Sequence, residues 1–495
     1  MNPASPSRRL TLTDLLAVAA GIVWHALLVF SCARYAGVDA FFHVAESRSL
    51  VSEGLFAGVT SLPFTVLGEH GPDHHFLFHL LGLPFAFLPD FQAVRVTAVF
   101  FAVVATGGTI VWLRRQGVAR PWLWALLLVA ATEVYNFRMS LLRSQTLDLP
   151  LLLFAIAFVM AGRARAAGVV AFLFSWAHHG ATILIPVAGL CVVAAMLTRR
   201  MVPLRAAAWL VGGFVLGQVI NPWFPQNLEY LFFHALFKTT NPLNLPLGGE
   251  WLPALPSYIA TELWPAHAVL IAVVARLALQ LRRTRERPQA DTTAMALVWV
   301  MFVVLTLKHG RFVGFLVPVQ VALIALVARD SAPMPRLERR AVAALALACT
   351  LLLAPRFLAV QALLDDGARP GDYASAAAYL RDHTAPGEVV FNVRWDHYPM
   401  LVFYSPRNRY AIGLDPNYLA YRAPKHFQLW NNFRAGARQV PNLSRRLHTL
   451  FGARFVVATA EEKALLARYP ELELVHDSPE AMIWRVRDAR YDGLK

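Results

Sequence analysis

Charge is scarce in this 495-residue chain: Asp, Glu, Lys and Arg make up 16% of it, against about a quarter in an ordinary soluble domain. The deficit is uneven. It falls on residues 1–365, where long apolar runs are split by short arginine clusters, whereas residues 366–495 have the makeup of a globular domain. A wholly soluble protein is thereby excluded. The economical division is a multi-spanning body, 1–365, and a small C-terminal domain, 366–495. Cysteine is nearly absent, and Cys32, Cys191 and Cys349 all lie in apolar runs without metal-ligand spacing or a disulfide framework. Internal repeats and low-complexity tracts are lacking. So are the zinc-protease pattern HExxH and the acidic pair DxD.

Apolar sequence and arginine are plentiful. Hydrophobic residues reach 57% and the mean hydropathy is +0.47. Candidate spans are 10–32, 91–113, 121–135, 147–161, 169–179, 181–198, 206–220, 266–281, 292–308, 312–328 and 341–362, so a mainly α, polytopic bundle of about 11 spans is expected. Arg8 and Arg9 before the first of these resemble a signal peptide. The run is long enough to cross and has no clear cleavage site, so it reads as a signal anchor.

The net charge of +15 is dispersed among short loops, so no nucleic-acid partner is expected. Alternating the spans sorts the loops into two sets. One holds Arg8 and Arg9, Arg114, Arg115 and Arg120, Arg163 and Arg165, Arg199, Arg200 and Arg205, Arg282, Arg283, Arg285 and Arg287, and Arg329, Arg336, Arg339 and Arg340. The other has fewer positives over longer loops, among them Arg138, Arg143, Lys238, Lys308 and Arg311. The positive-inside rule makes the first set, and the N-terminus, cytoplasmic. The protein is then a multi-pass inner-membrane protein with its C-terminal domain extracytoplasmic. Residues 76–89 would invert every later loop if they crossed, so they are placed at the external face or as a re-entrant piece.

External loops 33–90 and 221–265 concentrate the unusual polar residues. Asp39, His43 and Glu46 share one face if this stretch is helical. A carboxylate just past the first span can act as a general base, and Asp39 would serve equally as a helix N-cap. Asp73, His74 and His75 follow, with His75 and His79 at the i, i+4 spacing that can bind a transition metal. An interfacial turn of ordinary polar histidines is the preferred reading, so no metal ligand is assigned and a divalent cation is left open. His178 and His179 mark a short corner between two apolar runs. Arg138, Arg143, Lys308 and Arg311 are positives on the disfavoured face. They suit a lipid phosphate, or else pairing with Asp148 or Glu133, or snorkelling. Glu250 and Trp251, after a Gly-Gly pair, suit a sugar or lipid groove or an interface belt. Trp395-Asp396-His397-Tyr398-Pro399 and Gly413-Leu414-Asp415-Pro416 suit substrate contacts or structural turns. The C-terminal domain reads as α/β, with helices near 373–383, 443–452 and 460–469 and strands near 388–393, 409–413, 453–458, 471–476 and 481–486.

GVDAFFH resembles the D-x-Y-Y-H element of archaeal-type oligosaccharyltransferases, and HHFLFHLLGLPF resembles the P-P-L-x-Y-W-L element of lipid-A-modifying relatives. FRMSLLRSQTLDLPLLL is similar to their second external loop and following span, and WDHYP to the WWDYG motif, without its doubled Trp and its glycine. The chain thus resembles the GT-C superfamily of membrane glycosyltransferases. That resemblance implies a polyprenyl-phosphate sugar donor, a membrane-lipid environment, and a glycan, lipid or protein acceptor. It places Asp39 at the acidic catalytic position, with His43, Asp73 and His74 beside it. Arg138, Arg143, Lys308 and Arg311 would hold lipid phosphate. His75, His178, His179, Glu250, Trp251, Trp395 and Asp396 would line the substrate groove. A flippase or other transporter of a lipid-linked precursor is the first alternative, and a non-catalytic envelope assembly protein the second. A polar cavity beneath the C-terminal domain would favour the enzyme, and a solid body the scaffold.

Overall fold

The computed structural model describes residues 9–68, 71–240, 245, 248–285, 287–331, 335–436 and 439–487. Arg8, noted above, lies outside the described residues. Every expected span holds a helix, with 121–135 broken at the extended Thr132. Helices long and apolar enough to cross a bilayer number seven among the described residues: Leu12–Phe30, Asp90–Arg115, His179–Leu197, Trp264–Thr284, Ala290–Lys308, Gly310–Asp330 and Glu338–Leu364. An eighth arises if Glu133–Ser140 and Gln145–Met160, bent by 109°, count as one broken span. The expected eleven crossings are therefore not reached on length. Pro121–Ala131, Ala164–Ala177 and Leu204–Val219 are apolar but short. At about 1.5 Å per residue they reach less than the roughly 30 Å hydrocarbon core. Phe76–Ala86 is likewise a short helix, and it packs on the helix Asp39–Ser52.

The outward faces of the long helices are apolar. Leu12, Leu16, Val23 and Leu27 of the first, and Leu347, Leu351 and Leu358 of the last, are exposed. Continuous apolar faces of this extent suit hydrocarbon rather than water. Between helices, small residues bring backbones together. Gly168 and Gly213 face each other across Ala164–Ala177 and Leu204–Val219, and a Cβ on Gly213 would collide with the Gly168 carbonyl. Gly213→Val should therefore destabilise the bundle by about 1–3 kcal/mol, read as a lowered Tm in detergent. Gly212→Val is the control, since a Cβ there meets nothing within 4 Å.

The arginine-rich loops join one another at one end of the bundle. Arg114 pairs with Asp14 (2.8 Å), Arg120 with Glu338 (2.8 Å) and Arg329 with Asp291 (2.8 Å), while Arg329 also donates to the Gln116 carbonyl. The first residues of Gln145–Met160 border a polar cavity at the other end, and its last residues reach the arginine end. The two loop sets thus lie at opposite ends of that helix.

The C-terminal part carries a mixed five-stranded sheet in the order β2-β1-β3-β5-β4. Its strands are β1 (Val389–Asn392), β2 (Arg409–Tyr410), β3 (Phe455–Ala458), β4 (Leu472–Asp477) and β5 (Met482–Val486). β1 is parallel to β2 and β3, and β5 runs antiparallel to β3 and β4. All five expected strands form. Helices Tyr398–Tyr404, Pro416–Arg422 and Pro424–Ala435 are additional. One apolar core continues from the bundle into this part, where the Phe41 ring meets Phe403 edge-on at 5.2 Å. Ser61 Oγ and Tyr398 OH (2.6 Å), and Tyr230 OH and Tyr418 OH (2.8 Å), tie the two together.

Candidate active site

Gly37 has φ +86°, and a Cβ there would press on Leu141 at 2.9 Å. This turn launches the helix Asp39–Ser52. Asp39 is its first residue, and the preceding position has no side-chain cap, so the capping alternative is not realised. The carboxylate instead pairs with Arg143 (3.1 Å) and remains 37% exposed.

Arg143 sits in the break between Glu133–Ser140 and Gln145–Met160 and bridges Asp39 to Glu250 (2.5 Å). Arg138 (3.2 Å) and Arg311 (3.5 Å) also reach Glu250. Burial opposes ionisation of Glu250, but Arg143, Arg311 and Arg138 outweigh it and hold the carboxyl well below the usual carboxylate range. Three guanidiniums against Glu250 and Asp39 leave an excess of positive charge, suited to an anion with several oxygens. The sequence alternatives chose other partners. Asp148 bonds His178 Nδ1 (2.5 Å), and Glu133 pairs with Arg356.

Seven histidines gather beside this cluster. Asp73 Oδ2 takes a bond from His79 Nδ1 (2.7 Å), and His79 Nε2 meets His43 Nδ1 (2.8 Å). His178 stacks on His75, with centroids 5.0 Å apart and planes at 18°. His74 lies 4.1 Å from His75 and 5.5 Å from His179, and His234 lies 3.5 Å from His179 by ring centroids. Burial lowers His74 to about 3 and takes His43, His75 and His234 well below the ordinary imidazole value, so these rings are neutral at physiological pH.

These groups enclose a cavity of about 400 Å³. Asp39, His43, His74, His75 and Arg143 line it from the first half of the bundle, and His178, His179, Glu250, Trp251 and Arg311 from the second. Trp395, Asp396, Asp415 and Tyr418 close it from the C-terminal part.

Three of the expected site residues lie off the cavity, and one spacing considered for a metal does not form. Lys308 is exposed and outside the cavity, because the helix Ala290–Lys308 ends there and the following turn sends only Arg311 inward. Asp73 does not line the cavity and instead backs His79. Arg138 borders an adjoining groove of about 500 Å³ and touches the site only through Glu250. His75 and His79 do not act as an i, i+4 pair: His79 joins the Asp73–His43 chain, while His75 faces His74 and His179. One ring nitrogen from each of His74, His75 and His179 lies within 4.8 Å of the others, the grouping here that could hold a metal among the described residues.

The sequence reading missed Lys238 as a site residue, together with His234 and Tyr418. Lys238 Nζ pairs with Asp415 (2.7 Å) and lies 4.6 Å from the Trp251 ring centroid, whose other neighbour Arg311 is at 4.4 Å. Asp415 also caps Pro416–Arg422, so its turn role and its site role coexist. The available signal was a positive charge in a long loop of the charge-poor set, inside the aromatic stretch Tyr230–Lys238.

No protein-family model matches the chain, and no curated protein matches it. Solved structures do. ArnT from Cupriavidus metallidurans bound to undecaprenyl phosphate aligns over 96% of this chain and 98% of its own, at TM-score 0.63 and 15% identity. The oligosaccharyltransferase AglB from Archaeoglobus fulgidus, in complex with an inhibitory peptide and a dolichol-phosphate, aligns over 96% and 74%, at TM-score 0.62 and 11% identity. The chain has a GT-C-like fold. The arabinofuranosyltransferase AftD from Mycobacteria is a third GT-C neighbour, aligned over 96% of this chain and 40% of its own at TM-score 0.55 and 16% identity. Together with the apolar helices, these integral membrane neighbours make the chain a multi-pass membrane protein. Within this GT-C frame the polar cavity lies where the helical bundle meets the C-terminal sheet part.

Proposed function

We propose that the chain is an integral membrane glycosyltransferase moving a sugar from a polyprenyl-phosphate-linked donor to an acceptor hydroxyl outside the cytoplasm. Residues 1–365 form its membrane body, and residues 366–495 an extracytoplasmic domain. The observation that carries this reading is the cavity itself: about 400 Å³, walled by both parts, with the Asp39 carboxylate beside the Arg143–Glu250–Arg311 cluster. An assembly scaffold has no need of such a chamber. A transporter would place its polar groups near mid-depth, whereas these gather at one end of the bundle. The GT-C neighbours solved with dolichol-phosphate and undecaprenyl phosphate support a lipid-phosphate partner.

In this reading the acceptor oxygen attacks the anomeric carbon and the bond from that carbon to the phosphate oxygen breaks, with inversion. The electron pair leaves with polyprenyl phosphate, and Asp39 takes the hydroxyl proton. Arg143 orients Asp39 and, with Arg311, faces the charge growing on the phosphate, while Arg138 acts only by holding Glu250. Asp73 fixes His79, which fixes His43 against the cavity. Trp251, Trp395 and Asp396 supply apolar faces and an acceptor for sugar hydroxyls.

The test is donor turnover. The full chain in proteoliposomes, given labelled polyprenyl-phosphate hexose or pentose with glycan, lipid and peptide acceptors, should release free polyprenyl phosphate and label an acceptor. No turnover of either donor by folded wild-type protein would overturn the reading. The arginine cluster makes a separate prediction. Arg311→Gln should weaken polyprenyl phosphate binding by about tenfold to a hundredfold, the loss of one charge-assisted hydrogen bond. Glu250→Gln, which removes the competing carboxylate, should strengthen it. Titration of fluorescent polyprenyl phosphate reads both.

A further inference from the structure

We propose that His74, His75 and His179 form a transition-metal site of the zinc class, with its remaining coordination positions open to the cavity. The carboxylate-containing Asp39 position does not belong to it. One nitrogen of each ring lies within 4.8 Å of the others. Tetrahedral zinc at about 2.0–2.1 Å from each nitrogen sets neighbouring ligands about 3.3 Å apart, a gap that modest ring rotations close.

Three further observations point to a ligand. The Nδ1 atoms of His74, His75 and His179 are all buried without a hydrogen-bond partner among the described residues. Buried polar atoms are rarely left so, and three in one cluster call for a common partner. His234, 3.5 Å from His179 by centroids, has an unpartnered buried Nδ1 as well, so a fourth imidazole borders the position. Behind the rings stand Asp73, bonded to the His75 backbone N–H (2.9 Å), and Asp148, bonded to His178. These two carboxylates offset the charge of a divalent ion in a buried place.

The donor set selects the metal. Neutral imidazoles without a carboxylate suit zinc and its neighbours in the first transition row, and disfavour magnesium and calcium, which take oxygen. Three protein ligands at a cavity wall leave room for an oxygen ligand, as an open zinc site does. That this oxygen belongs to the donor phosphate rests on the glycosyl-transfer reading; the metal site itself does not.

The experiment reads metal, not activity. Full-length protein in detergent is stripped with a chelator, dialysed, and titrated with zinc alone, with elemental analysis for stoichiometry. Cobalt substitution then reports coordination through its visible absorption. One zinc per chain and an intense, low-symmetry cobalt spectrum are expected. His75→Ala and His179→Ala should each weaken zinc binding by more than about a hundredfold, since losing even an outer-shell partner costs about 10–100-fold. Asp39→Asn should bind zinc as wild type does. Wild-type protein that takes up no zinc, or that shows octahedral, oxygen-type cobalt, overturns the proposal without recourse to any variant. So do histidine variants that bind normally, or an Asp39→Asn variant that alone loses the metal. Failure here leaves sugar transfer untouched, and absence of transfer leaves the metal count untouched.

Discussion

Asp39→Asn should lower glycosyl transfer by about 10²–10⁴-fold while donor binding stays within a few-fold of wild type. Asn keeps the volume and a carbonyl oxygen, so the contact with Arg143 and the start of Asp39–Ser52 persist. It removes the basicity that takes the acceptor proton. Asp39 is placed for that role by three features together. It lies at the cavity wall, it keeps 37% exposure, and it is steered by one guanidinium that is itself anchored on Glu250. Because Arg143 and Arg311 remain, the loss should appear in kcat and not in the affinity for polyprenyl phosphate. Normal turnover by Asp39→Asn would remove Asp39 from the chemistry. A loss confined to KM would reassign it to binding.

The bundle was legible because apolar run length and arginine placement act locally. Each expected span holds a helix, although 121–135 is broken at Thr132, and the arginine loops meet at one end. Crossing number was less legible. Length alone does not tell a span from a shorter helix sheltered by neighbours, as Ala164–Ala177 and Leu204–Val219 illustrate. In the site, single-residue signals found side chains of the cavity wall, among them Asp39, His43, His74, Arg143 and Arg311. Pairings were not legible that way, since they join distant segments. Glu250 gathers arginines from two other loops, and the histidine cluster draws on four separate stretches. Lys308 was grouped with Arg311 by proximity in sequence, yet a helix end separates them. At His75 and His79 the i, i+4 spacing carries no pairing, because the chain puts two partners of different kind on successive turns.

Lys238→Met should destabilise the protein by about 3–5 kcal/mol, and Lys238→Met/Asp415→Asn should recover much of that loss. Lys238 and Asp415 expose only 7% and 8% of their side chains and meet at 2.7 Å, joining the bundle to the C-terminal part. Burial alone would strip the lysine of its proton. The facing Asp415 reverses that and raises its pKa, so the pair is ionic. Removing the lysine leaves a carboxylate unpaired with only 8% of its side chain exposed. Removing both charges leaves neither group stranded, and Asn in place of Asp415 still accepts the Asn417 N–H (2.8 Å in wild type) that caps Pro416–Arg422. Asp415→Asn alone should cost less than Lys238→Met. The abandoned ammonium keeps the faces of Trp251 at 4.6 Å and Tyr418 at 5.5 Å, worth up to about 2 kcal/mol when desolvated. Denaturant midpoints in detergent, with protease cleavage near residue 366 as a local reporter, give the order Lys238→Met, then Asp415→Asn, then the double variant nearest wild type. A double variant as unstable as Lys238→Met would show that side-chain packing, and not the unpaired charge, sets the cost.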